Sequence, residues 1–353
     1  MKQKLPQVLI VLFIVFSQFS IAQITIDKTS PYDSPTWLID NILLGGGVVA
    51  SNHSFQGDSM QIGFFNAINT NLGLDSGIVM ATGDIDLLDP NFPGFGTNPP
   101  NTVTDPDLLN VANSVPPLIG QSFSVSSIND VAKLEFDFVP TSDTVKFRYV
   151  FGSQEYHTFE NTQYNDVFGF FLSGPGIVGP YANGAINLAI IPNTNPPLPI
   201  TISSVHNGQN GVITPMNAQY FIDNSSLATI GDADGFTTVF TAKAIVQCGQ
   251  TYHIRLAIAD GSDQGLSSYV WLEAGSFTSP ILEVNDNLGL DSTFMEIQCN
   301  STITLTADGG VGATYQWFDD VGNMLGTDSS LVVGVGNYVV SATALGCTIF
   351  SDT

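Results

Sequence analysis

Positive charge is what this chain lacks most. Eight lysines and arginines stand against 32 aspartates and glutamates, a formal charge of −24 over 353 residues. A surface so poor in cations cannot collect phosphates, which excludes nucleic acid as a partner and disfavours an anionic membrane surface. Histidine is scarce as well. His53, His157, His206 and His253 are scattered, and no HxH or HxxxH pair offers zinc spacing. No GxSxG elbow is present, and Gly57-Asp58-Ser59-Met60 has no Asp-x-x-His downstream, which argues against a serine hydrolase. Gly45-Gly46-Gly47 has no following Lys-Ser/Thr and so is no phosphate loop. Beyond the first residues, no apolar run is long enough to cross a bilayer.

The one marked apolar run is amino-terminal. Lys2 and Lys4 precede the unbroken stretch Val8 to Phe16, and Ser20-Ile21-Ala22 offers a small-x-small cleavage site. Residues 1–22 therefore read as a secretory signal, and Gln23 after the cut leaves no cysteine there for lipid attachment. Loss of Lys2 and Lys4 takes the formal charge from −24 to −26. The mature protein is expected to be secreted or on the cell surface, with no integral membrane span. Divalent cations are the natural partners of such a surface; the plainer explanation is that acidity keeps a secreted protein soluble. Export permits disulfides. Of the three cysteines, Cys299 and Cys347 flank Trp317 and are the expected pair, leaving Cys248 as a small buried apolar residue.

Glycine (34) and proline (19) are plentiful, whereas charged residues make up only 11% of the chain; together these point to many short strands joined by polar turns. The expected fold is mainly β: an antiparallel, jelly-roll-like β-sandwich with minor short helices. Residues 134–174 carry the clearest pattern. Leu134, Phe136 and Phe138 alternate with Glu135 and Asp137, and Val145, Phe147, Tyr149 and Phe151 alternate with Lys146 and Arg148. A hairpin with Phe138 opposite Val145 would match the apolar residues on one face and Asp137–Lys146 and Glu135–Arg148 on the other. Further strands are expected at 48–50, 61–65, 77–82, 167–172, 186–191, 200–205, 236–247, 251–259 and 269–277. Ser34-Pro35 opens one short helix that glycine ends, and Asp105-Pro106 caps a second through Val111. Ser279-Pro280 divides a domain at 23–279 from a second at 280–353. There Cys299, Trp317 and Cys347, with short alternating strands, suggest an immunoglobulin-like or PKD-like sandwich, expected to be incomplete at Thr353. The pentapeptide LGLDS at 72–76 and 288–292 reads as two similar turns.

Four segments carry a family likeness: IGFFNAINTNLGLDSGIVMATGD (62–84), AKLEFDFVPTSDTVKFRYVFGSQEYHTFENTQYNDVFGFFLSGPG (132–176), DGFTTVFTAKAIVQCGQTYHIRLAIADGSDQG (234–265) and VWLEAGSF (270–277). Over roughly residues 30–280 the chain resembles the choice-of-anchor L domain. The resemblance implies an exported bacterial surface or secreted protein, often sent out by type IX secretion and followed by immunoglobulin-like or PKD-like modules. It implies surface anchoring through a carboxy-terminal segment that this sequence lacks, and it implies no enzyme. Ser267-Ser268 departs from the family pattern, where Asp-Ser precedes the VxLEAGSF strand.

Calcium is the sharpest chemical expectation, because a hard cation takes six to eight oxygens from carboxylates, amides and backbone carbonyls in loops. Three loops offer them: Glu155, Asn165 and Asp166; Asp232 and Asp234; Asp260 and Asp263. None matches an EF-hand, and Asp and Asn also simply make turns. Ser267, in place of a carboxylate, weakens the last loop. The expected function is a non-catalytic adhesion or binding module recognising glycan or protein. Competing readings are a secreted polysaccharide hydrolase pairing Glu155 with Glu160 or Asp166, and a structural spacer of a larger surface protein. Tyr156, Phe159, Tyr164 and Trp271 could stack on sugars, but at strand period such aromatics are usually core.

Overall fold

A computed structural model of the chain describes residues 23–100, 102–226, 229–279, 284–286, 302–308, 313–344 and 347–351. The signal segment 1–22 lies outside these. In chain order the strands of the large domain are β1 (Thr25–Asp27), β2 (Val48–Gln56), β3 (Ile62–Asn66), β4 (Ser76–Ala81), β5 (Ile128–Pro140), β6 (Thr144–Ser153) and β7 (Val167–Ser173). They continue as β8 (Ile186–Asn187), β9 (Phe221–Asp223), β10 (Gly235–Thr237), β11 (Phe240–Ile245), β12 (Tyr252–Gly261) and β13 (Ser268–Glu273). All named pairings are antiparallel. One sheet runs β1-β3-β4-β13-β6-β10-β9, with β11 also on β6; the other runs β2-β5-β12-β7-β8. The mainly β sandwich expected from composition is what forms.

The hairpin expected between β5 and β6 does not. β5 pairs with β2 and β12, whereas β6 pairs with β13, β10 and β11, so the two strands lie in different sheets. Pro140 to Asp143 carries the chain from one sheet to the other. The alternation was real, but its apolar face looks across the sandwich. Leu134, Phe136 and Phe138 from one side and Val145, Phe147, Tyr149 and Phe151 from the other fill one buried core. Phe170 meets Phe147 and Tyr149 at ring distances of 4.9 and 4.7 Å. The charged residues consequently point to opposite outer surfaces. Arg148 binds Glu273 at 2.5 and 2.8 Å, and Asp137 meets His253 at 2.8 Å; Lys146 stands opposite Lys243.

Phe277 plugs the same core, 5.2, 5.1 and 5.4 Å from the rings of Phe136, Phe138 and Phe147. Its backbone is held by Leu43 and Gly45, and Thr278 exchanges both backbone hydrogen bonds with Lys146.

Two helices form where their caps are written. Ser34 accepts from the Trp37 N–H ahead of α1 (Pro35–Leu38), which continues as a π-turn over Ile39–Leu43. Asp105 accepts from the N–H groups of Asp107 and Leu108 ahead of α2 (Pro106–Leu118). α2 runs past the expected Val111 and lays Leu108, Val111 and Ala112 on Val131, Val167, Phe171, Ala257 and Ala259, on the outer face of the second sheet. Arg255 on that face reaches Asp105 at 3.2 Å and Asp107 at 2.5 Å and sits 4.4 Å over the Phe171 ring. Residues 200–205, expected as a strand, are turns around the single bridge Val167–Thr201. Their buried Ile200, Ile202 and Val205 mimic strand spacing.

The carboxy-terminal segment carries β14 (Val284–Asp286), β15 (Ile303–Ala307), β16 (Thr314–Asp319), β17 (Met324–Gly326), β18 (Ser330–Val333), β19 (Tyr338–Ala344) and β20 (Cys347–Phe350). These form sheets β14-β15-β18 and β17-β16-β19-β20 around Trp317, whose indole N–H donates to the Asp328 carbonyl. Cys248 is disulfide-bonded and is not the left-over thiol expected. Cys248 lies three residues beyond the end of β11. Cys299 and the Cys347 side chain lie outside the described residues.

Candidate functional site

Antiparallel order decides which loops meet. β6 ends at Ser153, which pairs with Gly235 at the start of β10 and Ser268 at the start of β13. β12 ends, β7 begins and β4 ends at the same edge of the sandwich. The loops 154–166, 230–234 and 260–267, each expected to carry metal ligands, therefore gather at one end.

Within this end four carboxyls form a buried row. Glu155 and Asp260 are 2% and 3% exposed, and Asp166 is fully buried; Asp263 stands half-buried at the rim. Asp166 is well supplied with donors: the Gly261 N–H binds Oδ1 at 2.9 Å and the Ser268 hydroxyl binds Oδ2 at 2.7 Å. Glu155 Oε2, Asp260 Oδ1 and Asp263 Oδ1 are buried with no donor. The Glu155 carboxyl lies against that of Asp166, and Asp166 against that of Asp260. Two carboxyls in contact need a proton or a cation between them, since two anions repel. Burial, followed by the charges of Asp166, Asp260 and Asp263, pushes Glu155 far above the carboxylate range. Burial likewise raises Asp166, although Ser268 and Gly261 pull it back, and it raises Asp260 with help from Asp166. Among the described residues, no three histidine, cysteine, aspartate or glutamate side chains stand close enough together to hold a metal ion. The arrangement is a line of carboxyls with orphaned oxygens.

A model of the choice-of-anchor L domain matches residues 25–278. The chain belongs to the choice-of-anchor L family. Such a domain marks a cell-surface or secreted protein, and the family in general is not one of enzymes. No curated protein matches the chain. Among solved structures, a β-glucuronidase of Faecalibacterium prausnitzii aligns at 9% identity and a TM-score of 0.22, covering 87% of this chain and 46% of its own. One from Ruminococcus gnavus aligns at 9% identity and a TM-score of 0.20, covering 74% and 39%. The chain thus spans under half the length of either, and likenesses this slight bear on neither fold nor activity. No helix among the described residues is long and apolar enough to cross a membrane.

In this choice-of-anchor L domain Glu155, Asp166, Asp260 and Asp263, read from the sequence as belonging to separate loops, lie at the same end. Asn165 does not join them through its side chain. Its Oδ1 accepts from the Ser203 N–H at 3.3 Å and its amide donates to the Ala112 carbonyl at 3.4 Å. Its backbone instead presses on Gly261, where an added Cβ would stand 2.8 Å from the Asn165 carbonyl oxygen. Asp232 and Asp234 share the same end but form a separate pair. Asp232 accepts from the Tyr269 hydroxyl at 2.9 Å, and burial together with Asp234 raises it.

Four members escaped the sequence reading. Asp130, inside β5 at φ 50°, is buried, accepts from Gln264 at 2.8 Å and feels the charge of Asp263. Gly261 and Ser268 hold Asp166, and Thr82 bonds Asp260. Aspartate in the left-handed region inside a strand pattern leaves no mark in sequence spacing. Ser268 was visible only as part of the Ser267-Ser268 departure. The sugar-stacking option loses two of its platforms, because Tyr156 and Trp271 are fully buried. A glycosidase pair also needs roughly 5–9.5 Å between carboxyls that face a sugar. Glu155 and Asp166 are instead buried and in contact.

Proposed function

We propose that the chain is a non-catalytic module displayed on or released from the cell, whose loop-bearing end recognises a glycan or a protein and is held in shape by calcium. The family assignment supports the surface role. The observation that carries the calcium reading is the row Glu155–Asp166–Asp260 with Asp263, from which three buried carboxylate oxygens lack any donor. All donors there are oxygens, on loops and at the end of β12, the chemistry that suits calcium's flexible coordination shell rather than zinc's tetrahedron. Glu155, Asp260 and Asp263 would supply the ligands, with Asp166 positioned by Ser268 and Gly261. In this reading residues 280–353, with two small sheets around Trp317, act as an immunoglobulin-like or PKD-like extension that sets the recognition end away from its support.

The test compares thermal unfolding of the protein in calcium with unfolding in chelator. At about a hundredfold excess over Kd, calcium adds about 2.7 kcal/mol, a rise of roughly 5–10 °C for a domain of this size. Asp260→Asn should abolish that rise. Identical melting in both conditions, with no heat on calcium titration, would remove calcium from the proposal. A glycan and protein-binding screen in calcium tests the recognition role.

A further inference from the structure

Beyond residue 22 the cations of the chain are Lys28, Lys133, Lys146, Arg148, Lys243 and Arg255. Half of them share one outer patch of the first sheet. The β6–β11 register sets Lys146 opposite Lys243, Arg148 opposite Thr241 and Thr144 opposite Ile245. Lys146, Arg148, Thr241, Lys243 and Ile245 are exposed, while Val145, Phe147, Ala242 and Ala244 between them are buried, so the pleat turns the cations to solvent. The patch lies towards the start of β6, and the acidic loops follow its far end at Ser153. Glu273 on the neighbouring β13 is already occupied, because both of its oxygens bind Arg148. Asp143, in the turn before β6, accepts from the Thr144 hydroxyl at 3.0 Å. Among the described residues neither Lys146 nor Lys243 forms an ion pair. Lys28, by contrast, holds Asp84 and Asp86, each at 2.8 Å, and Arg255 holds Asp105 and Asp107. Like charges directly opposite each other on one face destabilise a sheet. In a chain with 32 acids and eight cations, a facing carboxylate would be the ordinary partner of either lysine.

We propose that the opposed pair Lys146 and Lys243 is a docking surface for the acidic groups of an anionic polysaccharide. Residues directly opposite hold their β-carbons about 5 Å apart, so two flexible ammonium groups close on one carboxylate or sulfate from both sides. Charge spacing selects the class of partner. A polyphosphate or an anionic bilayer presents its charges densely, and each charge beyond the first meets a chain of net −24. A glycan with one acidic group on every sugar or every second sugar brings a single group to the lysines. Its neighbouring groups then stand near the limit of screening, about 8 Å at physiological salt, where the acidic surface repels them little. Ile245, 68% exposed beside the pair, offers apolar contact to the C–H face of a sugar ring. This surface is separate from the loop-bearing end and needs no calcium.

The experiment is calorimetric titration of the full chain, in chelator, with hyaluronan and with chondroitin sulfate, beside neutral dextran and phosphatidylglycerol vesicles. Chelator keeps the result independent of the calcium reading. An acidic glycan should bind, dextran and vesicles should not, and added salt should weaken the binding severalfold. Changing both lysines, Lys146→Gln with Lys243→Gln, should lower the affinity by about tenfold or more at an unchanged melting temperature. Lys243→Glu turns the opposed pair into a cross-strand ion pair, so it should keep the fold and abolish binding. Binding that survives Lys243→Glu, or the absence of binding to both acidic glycans, overturns the proposal. Vesicles bound in preference to both glycans overturn the class of partner.

Discussion

Two groups of buried acids lie on this domain, and they are built on opposite terms. Asp105 and Asp107, with side chains 1% and 10% exposed, share the guanidinium of Arg255, which itself lies on the Phe171 ring. Burial pushes Asp105 up, and the Arg255 charge pulls part of that back. Glu155, Asp166 and Asp260 are as deeply placed, yet after burial the forces that raise Glu155 come from other carboxyls. The first group has its counter-charge within the chain and fastens α2 to its sheet. The second is short of positive charge, although Arg255 shows that the chain can place a cation beside buried acids. The acids of this row raise one another, in a protein with few cations.

The sharpest way to break this contrast is to make the first group resemble the second. Arg255→Met should cost about 3–5 kcal/mol in urea unfolding, because it strands two buried carboxylates. A loss below about 1 kcal/mol would mean that Arg255 is not what holds them. A comparable loss, about 3–5 kcal/mol, is expected for Phe147→Ala in the core between the sheets. It serves as the benchmark for pure packing.

The acidic row should reveal itself through pH. Its carboxyls have raised values in the folded state, so their stabilising contribution is full below the unfolded carboxyl range near 4 and is lost as pH rises towards the folded values. In chelator the domain should therefore be less stable at pH 8 than at pH 5. His253, raised by Glu135 and Asp137, adds a loss of the same sign, so the comparison is made in His253→Gln. Saturating calcium should flatten the slope, and a slope unaffected by calcium would separate the row from the metal. The smallest effect belongs to Arg148→Glu. Its side chain is 46% exposed, and losing the Glu273 pair should cost about 0–1 kcal/mol in the same unfolding assay.

The sequence spelled out much of this domain, though unevenly. Alternation at 134–151 announced two strands with one apolar face each, but the same alternation suits a hairpin and two facing sheets. Only the partners β12 and β13, far along the chain, decide between them. Asp105 and Ser34 were readable as caps because capping is local. Glu155, Asp166, Asp260 and Asp263 were readable as acidic loops, and antiparallel order brought them to one edge. Asp130 was not readable, because its place depends on a left-handed residue inside a strand. Asn165 misled because its neighbour in space, Ser203, is remote in sequence.

The plug at Phe277 bears on load. A module tethered at one end transmits tension through the residues that leave its last strand, here 277–279. Pulling on them draws along Lys146 on one side and residues 43–47 on the other, straining several backbone hydrogen bonds together while dragging an aromatic ring out of the core. Tension along the strand would load those bonds together rather than one by one.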